Sequence, residues 1–220
     1  ASGADVRRPV LRVGTAYAFT STTLLFGEGR RADLTRHAVL GSIEAPLAPG
    51  VSLQAGAGGV VGGALTHGAA RDTIGPGATG FFGAGARVYE GTKILPFVQL
   101  TGTLSVTHML TRADEVGTGG APLPEGAPAR PRYTAFDVRA GAMAGKTFAG
   151  VLTPYAAARI FGGPIFWRLD GARVQGTDLY KYQLGGGLSV ALARRRVDLF
   201  VEGIALGERG VSAGLGTTFF

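Results

Sequence analysis

Three observations predict an all-β chain closed into an antiparallel, up-and-down transmembrane β-barrel of about ten strands. Apolar residues alternate at period two with small or polar ones from one end of the chain to the other. Glycine supplies 38 of 220 residues at only 17% charge, with a mean hydropathy of +0.22. That balance opposes a helical protein, because each Gly in a helix interior costs about 1 kcal/mol relative to Ala. No every-third-residue Gly period marks collagen. Finally, long and short links alternate along the chain, as the two rims of such a barrel require.

The strand segments follow in order. The first sets Leu11, Val13, Tyr17 and Phe19 against Arg12, Gly14, Ala16 and Ala18. In the second, Val39, Ile43, Ala45 and Leu47 oppose Arg36, Ser42 and Glu44, with Leu40 on the polar side. The third, 51–65, opposes Val51, Leu53, Ala57 and Val61 to Ser52, Gln54, Gly56, Gly58 and Gly62. The fourth, 79–89, sets Phe82, Ala84, Ala86 and Val88 against Gly83, Gly85, Arg87 and Tyr89. In the fifth, Ile94, Val98, Leu100, Leu104, Val106 and Leu110 alternate with Gln99, Thr101, Thr103, Ser105 and Thr107. This run exceeds the roughly 9–11 residues that cross a bilayer at a tilt, so it is expected to project beyond the membrane.

The sixth segment opposes Phe136, Val138, Ala140, Ala142 and Ala144 to Asp137, Arg139, Gly141, Met143 and Gly145. The seventh, 152–161, is mixed: Leu152, Ala156, Ala158 and Ile160 share a face, but Tyr155 and Phe161 join Arg159 on the other, so a bulge is expected. The eighth sets Tyr180, Tyr182, Leu184, Leu188, Val190 and Leu192 against Lys181, Gln183, Gly185, Gly187 and Ser189. The ninth sets Val197, Leu199 and Val201 against Asp198 and Glu202, with Phe200 on the polar side. The tenth sets Val211, Ala213, Leu215 and Phe219 against Ser212, Gly214, Gly216 and Thr218.

Long links are expected at 20–35, 66–78, 112–132 and 162–176, and short ones near 48–50, 90–92, 147–149 and 194–195. The link 207–210 is short where a long one was due. An even strand number puts both termini on the short-turn rim. The whole chain, 1–220, reads as one barrel domain with a short amino-terminal segment, 1–9, which is polar and lacks the apolar core of a signal peptide. The uncharged stretch 45–70 is no transmembrane helix, because it contains Pro46, Pro49 and several Gly, and its apolar residues fall at period two.

This pattern resembles the outer-membrane β-barrel proteins of diderm bacteria over nearly the whole chain. The resemblance implies an exported, porin-like membrane protein with both termini in the periplasm and long loops outside. It also implies a carboxy-terminal insertion signal, carried here by Gly214, Gly216, Phe219 and Phe220. The implied partners are outer-membrane lipid, the barrel-insertion machinery and other membrane or surface proteins.

Lipid cannot hydrogen-bond backbone groups, so a spanning sheet must close on itself with an apolar outer face. Inward Gly lets strands curve and leaves room in a narrow bore. The net charge of +7 invites a nucleic-acid reading. The basic residues are scattered, however, and the runs at 30–31 and 194–196 sit at turns, so solvation or lipid head groups are the expected partners.

Little catalytic chemistry is legible. With no Cys there is no disulfide, thiol nucleophile or Cys-based zinc site. Omptin proteases, also ten-stranded, carry paired acids and an Asp-x-His couple, and neither Asp-x-Asp nor Asp-x-His occurs here. His37, His67 and His108 lack metal-ligand spacing, although His67 with Asp72, or His108 with Asp114, are candidate couples. The Gly-rich stretches 56–59 and 185–187 complete no phosphate-loop motif. No cofactor or enzymatic activity is expected.

The candidate site is the set of inward charges Glu44, Arg87, Asp137, Arg139, Arg159, Lys181 and Glu202. Two readings stand. The charges form a salt-bridge plug in a structural or partner-binding barrel, or they line a narrow channel whose slight cationic excess favours anions.

Overall fold

The computed structural model describes residues 10–68, 70–113, 131–169, 172–193 and 196–220. The expected amino-terminal segment 1–9, most of the link 112–132 and the turn residues 194–195 lie outside the described residues. The strands are β1 (Leu11–Phe26), β2 (Arg31–Ala48), β3 (Val51–His67), β4 (Ala70–Tyr89), β5 (Phe97–Ala113), β6 (Arg132–Gly145), β7 (Leu152–Gly162), β8 (Ile165–Leu169), β9 (Ala172–Asp178), β10 (Tyr182–Leu192), β11 (Val197–Gly207) and β12 (Arg209–Phe219). All but β8 and β9 form a closed, antiparallel, up-and-down barrel of ten strands. The seam joins β12 to β1, from Leu11 opposite Phe219 to Ser21 opposite Arg209.

The other two strands build a second storey. Above its seam with β12, β1 bonds β9 from Leu24 to Phe26. Likewise β6 bonds β7 from Val138 to Gly145, and higher up it bonds β8 at Thr134 and Ala135. Strands β7, β10, β11 and β12 stop short, and the β8–β9 hairpin stands in their place. A ten-strand lower tier is thus continued by an eight-strand upper tier of β1–β6, β8 and β9.

The tiers differ in which face is apolar. In the lower tier Ile43, Phe82, Leu104, Val138, Ile160 and Val211 point outward and are more than half exposed, forming the belt that lipid covers. In the upper tier Leu24, Phe26, Leu34, Leu65, Ile74, Met109, Tyr133, Ile165 and Trp167 point inward as one buried cluster. The upper outer face instead carries Thr23, Arg31, Asp33, Thr66, Arg71 and Arg112. Period two resumes after a register shift near Val61 in β3 and another between Ile74 and Gly77 in β4, and the apolar set has moved to the opposite side of the sheet.

That inversion corrects the expected loops. The regions 20–35 and 66–78 are mostly strand, joined by residues 27–30 and 68–69. Their outward apolar pattern ends because they leave the bilayer, while the sheet goes on. The link 162–176 is largely the β8–β9 hairpin. The short link at 90–92 extends to residue 96. The bulge expected in the seventh segment is absent, since β7 runs in continuous register with β6 and β10. Tyr155 and Phe161 face inward there because each meets a lumenal charge, as described below.

Gly207 has a φ of 80°, and a Cβ there would lie 1.7 Å from the Tyr182 carbonyl oxygen. Both the backbone conformation and the close approach of β10 require Gly. Gly207→Ala is expected to cost about 1–3 kcal/mol, measured by urea unfolding of the barrel in lipid vesicles; an unchanged midpoint would contradict the tight outer turn.

Candidate functional site

The lower lumen holds charged side chains that reach across or along the wall, and most of the expected residues take part. On β6, Arg139 pairs with Asp137 two residues away, and its Nη2 donates to Glu208 Oε2 at 2.9 Å. The same guanidinium lies 4.6 Å from the Phe161 ring centroid, a cation–π contact that gives this aromatic its inward place. On β7, Arg159 donates from Nη1 and Nη2 to the two oxygens of Glu202 at 2.7 and 2.8 Å. The Tyr155 hydroxyl adds a third donor to Glu202 at 3.1 Å. Such a fork-to-fork pair fixes both planes and joins β7 to β11 across β10.

Nearer the short-turn rim, Arg12 bridges Glu44 at 3.4 Å and Asp198 at 3.3 Å, and Ser52 donates to Glu44 at 2.7 Å. Arg87 lies at the mouth, 3.5 Å from Glu90 of the adjoining turn and 4.5 Å from the Phe97 ring centroid. Lys181 stands apart. It precedes β10, is exposed, and has no ion-pair partner among the described residues; its carbonyl oxygen accepts from the Phe161 amide.

Arg12, Arg36, Asp178, Asp198 and Glu208 were not among the expected charges. Glu208, in what reads as a solvated turn, folds inward to 3% exposure beside Arg139. The flanking Gly207 and Gly210 were the only sequence hint of so tight a turn. Arg36 donates to Thr20 at 3.0 Å and across the bore to Thr107 at 3.4 Å. Asp178 accepts from Thr22 at 3.3 Å. Counting these, Arg12, Arg36, Arg87, Arg139 and Arg159 face Glu44, Asp137, Asp178, Asp198, Glu202 and Glu208, five cations against six anions. The cationic excess behind an anion preference is therefore gone.

Above these charges the bore is filled. Trp167 donates from Nε1 to Thr111 at 3.0 Å, and its ring meets Phe26 at 5.8 Å and His67 at 5.5 Å. Among the charges a lumenal cavity of about 350 Å³ remains, lined by Arg36, Arg139, Arg159, Gln183 and Glu202 with others. His67 and Asp72 do meet, Nε2 to Oδ2 at 3.9 Å, at the upper end of the plug. Asp114, the other candidate acid, lies outside the described residues. Among the described residues no group of three or more His, Cys, Asp or Glu is placed to hold a metal.

The closing segment has two faces. Gly214 and Gly216 point inward, against Phe200 and the Arg12 guanidinium, while Phe219 and Phe220 are exposed at the outer edge of the short-turn rim.

Comparison with known proteins places this architecture. No family model and no curated protein matches the chain. Among solved structures it is similar to the outer membrane protease OmpT from Escherichia coli, with a TM-score of 0.58 at 10% identity over 95% of this chain and 96% of that one. It is also similar to the translocator domain of the autotransporter NalP from Neisseria meningitidis, with a TM-score of 0.53 at 13% identity over 99% of this chain and 91% of that one. The fold is that of a bacterial outer-membrane β-barrel. At such identities the likeness is one of fold, and the apolar belt of the lower tier is the surface that this membrane requires.

Two predictions follow from the electrostatics. Arg159→Met leaves Glu202 charged with its main partner gone, and is expected to cost about 3 kcal/mol, most of which Arg159→Met with Glu202→Leu recovers; urea unfolding of the two variants in vesicles checks this. Asp178 lies in the upper tier beyond the bilayer, and burial, with Glu208 and Asp137 nearby, pushes its carboxyl up to about 6. The folded carboxyl therefore holds its proton more tightly than the unfolded one. Its contribution is most favourable below the ordinary value of 3.8, is lost as pH rises to about 6, and is flat above. Thermal unfolding of Asp178→Asn should lack this slope between those limits.

Proposed function

We propose that this chain is a non-conducting outer-membrane barrel with a structural or partner-binding role. The observation that supports this reading is the eight-strand upper tier, whose apolar cluster around Leu65, Met109, Tyr133 and Trp167 fills the bore above the lumenal charges. An open aqueous channel needs a continuous polar path. Here a solute entering from the short-turn rim meets Arg139, Arg159 and Glu202 and then a wall of buried aromatic and aliphatic side chains. Two of the ion pairs serve the same end, since Arg159 with Glu202 and Arg12 with Asp198 join strands that are not neighbours and so hold the cylinder in one cross-section.

The partner-binding part of the reading rests on the tall rim. The upper tier raises a polar-faced platform above the membrane, at which β5 ends with Ala113 and β6 begins with Arg132. On this reading Phe219 and Phe220, exposed at the closing strand's end, are the handle that the barrel-insertion machinery grips. No catalytic step belongs to the proposal.

Planar-bilayer recording separates this role from that of a narrow channel. The purified barrel is expected to give no conductance steps, whereas a variant lacking residues 165–178 is expected to give discrete steps while keeping the heat-dependent gel mobility of a folded barrel. Uniform steps from the unaltered protein would overturn the proposal in favour of a passive channel.

A further inference from the structure

The outer face of the upper tier carries an arginine row that the lumenal reading does not use. Tyr133, Ile165 and Trp167 are buried inward, so the alternating residues Arg132, Thr134, Phe166, Arg168, Arg173 and Gln175 face out. Thr134 is opposite Phe166, which brings Arg132 level with Arg168; Arg168 is in turn directly opposite Arg173. Three guanidinium groups thus stand side by side on the adjacent strands β6, β8 and β9. All three line one surface concavity with Thr134 and Gln175. On this face of β6, β8 and β9 the described residues include no carboxylate, and none of the three arginines has an ion-pair partner among the described residues. Like charges directly opposite in a sheet destabilise it, so the row favours a bound anion.

The position of the row identifies which anion. Two residues below Arg168, or about 7 Å along the strand, Phe166 meets Phe136 edge-to-face at 6.4 Å. Both rings are exposed at the upper limit of the apolar belt, where an aromatic girdle meets the head groups. A ligand here has its charge beside the arginines and its apolar part against the two rings.

We propose that Arg132, Arg168 and Arg173 bind the phosphate groups of a phosphorylated glycolipid in the outer leaflet, whose acyl chains descend over Phe166 and Phe136. The guanidinium fork suits phosphate oxygens, and three adjacent forks suit a head group with more than one phosphate. This site is independent of whether the lumen conducts.

Trp167, the one tryptophan in the sequence, lies between Phe166 and Arg168 in β8 with its indole buried on the opposite face, and supplies the signal through the strand that carries both. The full-length barrel in bicelles is titrated with bisphosphorylated lipid A, with the dephosphorylated lipid, and with inorganic phosphate. The expected result is a saturable fluorescence change with the bisphosphorylated lipid alone at micromolar concentration, weakened by added salt. Arg173→Gln should lower that affinity roughly tenfold and the triple variant Arg132→Gln, Arg168→Gln, Arg173→Gln more steeply. Heat-dependent gel mobility identifies folded samples, and the single variant keeps the test informative if the triple one does not fold. Equal binding of the dephosphorylated lipid, or an unchanged affinity in folded Arg173→Gln, would overturn the site. Inorganic phosphate binding as tightly as the lipid would overturn the lipid as its source.

Discussion

The structure depends on how two strands divide their hydrogen-bonding edges. Each edge strand in a membrane must find a partner for every backbone group, because hydrocarbon supplies none. β1 gives its lower edge to β12 and its upper edge to β9; β6 gives its lower edge to β7 and its upper edge to β8. This division lets one sheet close twice, with ten strands inside the bilayer and eight above it. The narrower closure brings the upper walls near enough for Leu65, Met109 and Trp167 to meet and fill the bore.

Within the lower tier the solvent arrangement is reversed relative to a soluble barrel, and the ion pairs follow from that. Lipid takes the apolar side chains outside, so the bore receives what lipid will not accept. Arg159 with Glu202 and Arg139 with Glu208 lie within a wall where small residues such as Ala16, Ala18, Ala38, Thr101, Thr103 and Gly141 leave the long side chains room. Gly56, for example, lies against the Phe81 ring so closely that an added Cβ would approach it to 2.4 Å. Small residues on one strand thus make space for large ones on the next.

The lower tier was legible because its alternation has one consistent sense. Val98, Leu100 and Leu104 against Gln99, Thr101 and Thr103 locate a membrane strand from composition alone, and the seam is anticipated by Phe219 at the end of a similar run. The upper tier was not legible by the same rule. At Leu24, Phe26, Leu34 and Leu65 the apolar residues occupy the face that carries polar ones a few positions earlier, so a search for one greasy face ends there and reports a loop. The β8–β9 hairpin escaped for another reason: its strands of 5 and 7 residues are short, and their apolar residues gain meaning only beside β1 and β6. Of the site, Arg12, Arg36 and Asp198 sit on regular inward positions without having been singled out, Glu208 became lumenal through a turn conformation, and Tyr155 and Phe161 looked irregular until Glu202 and Arg139 were found facing them.

The hairpin's dual docking also orders assembly in time. Residues 165–178 can bond to β1 and β6 only after those strands stand in the wall, and the two edges come from segments more than a hundred residues apart in the chain. Seating this hairpin therefore joins the chain's first strand to its middle and completes the upper ring, so the stopper in the bore is a product of the barrel's own closure.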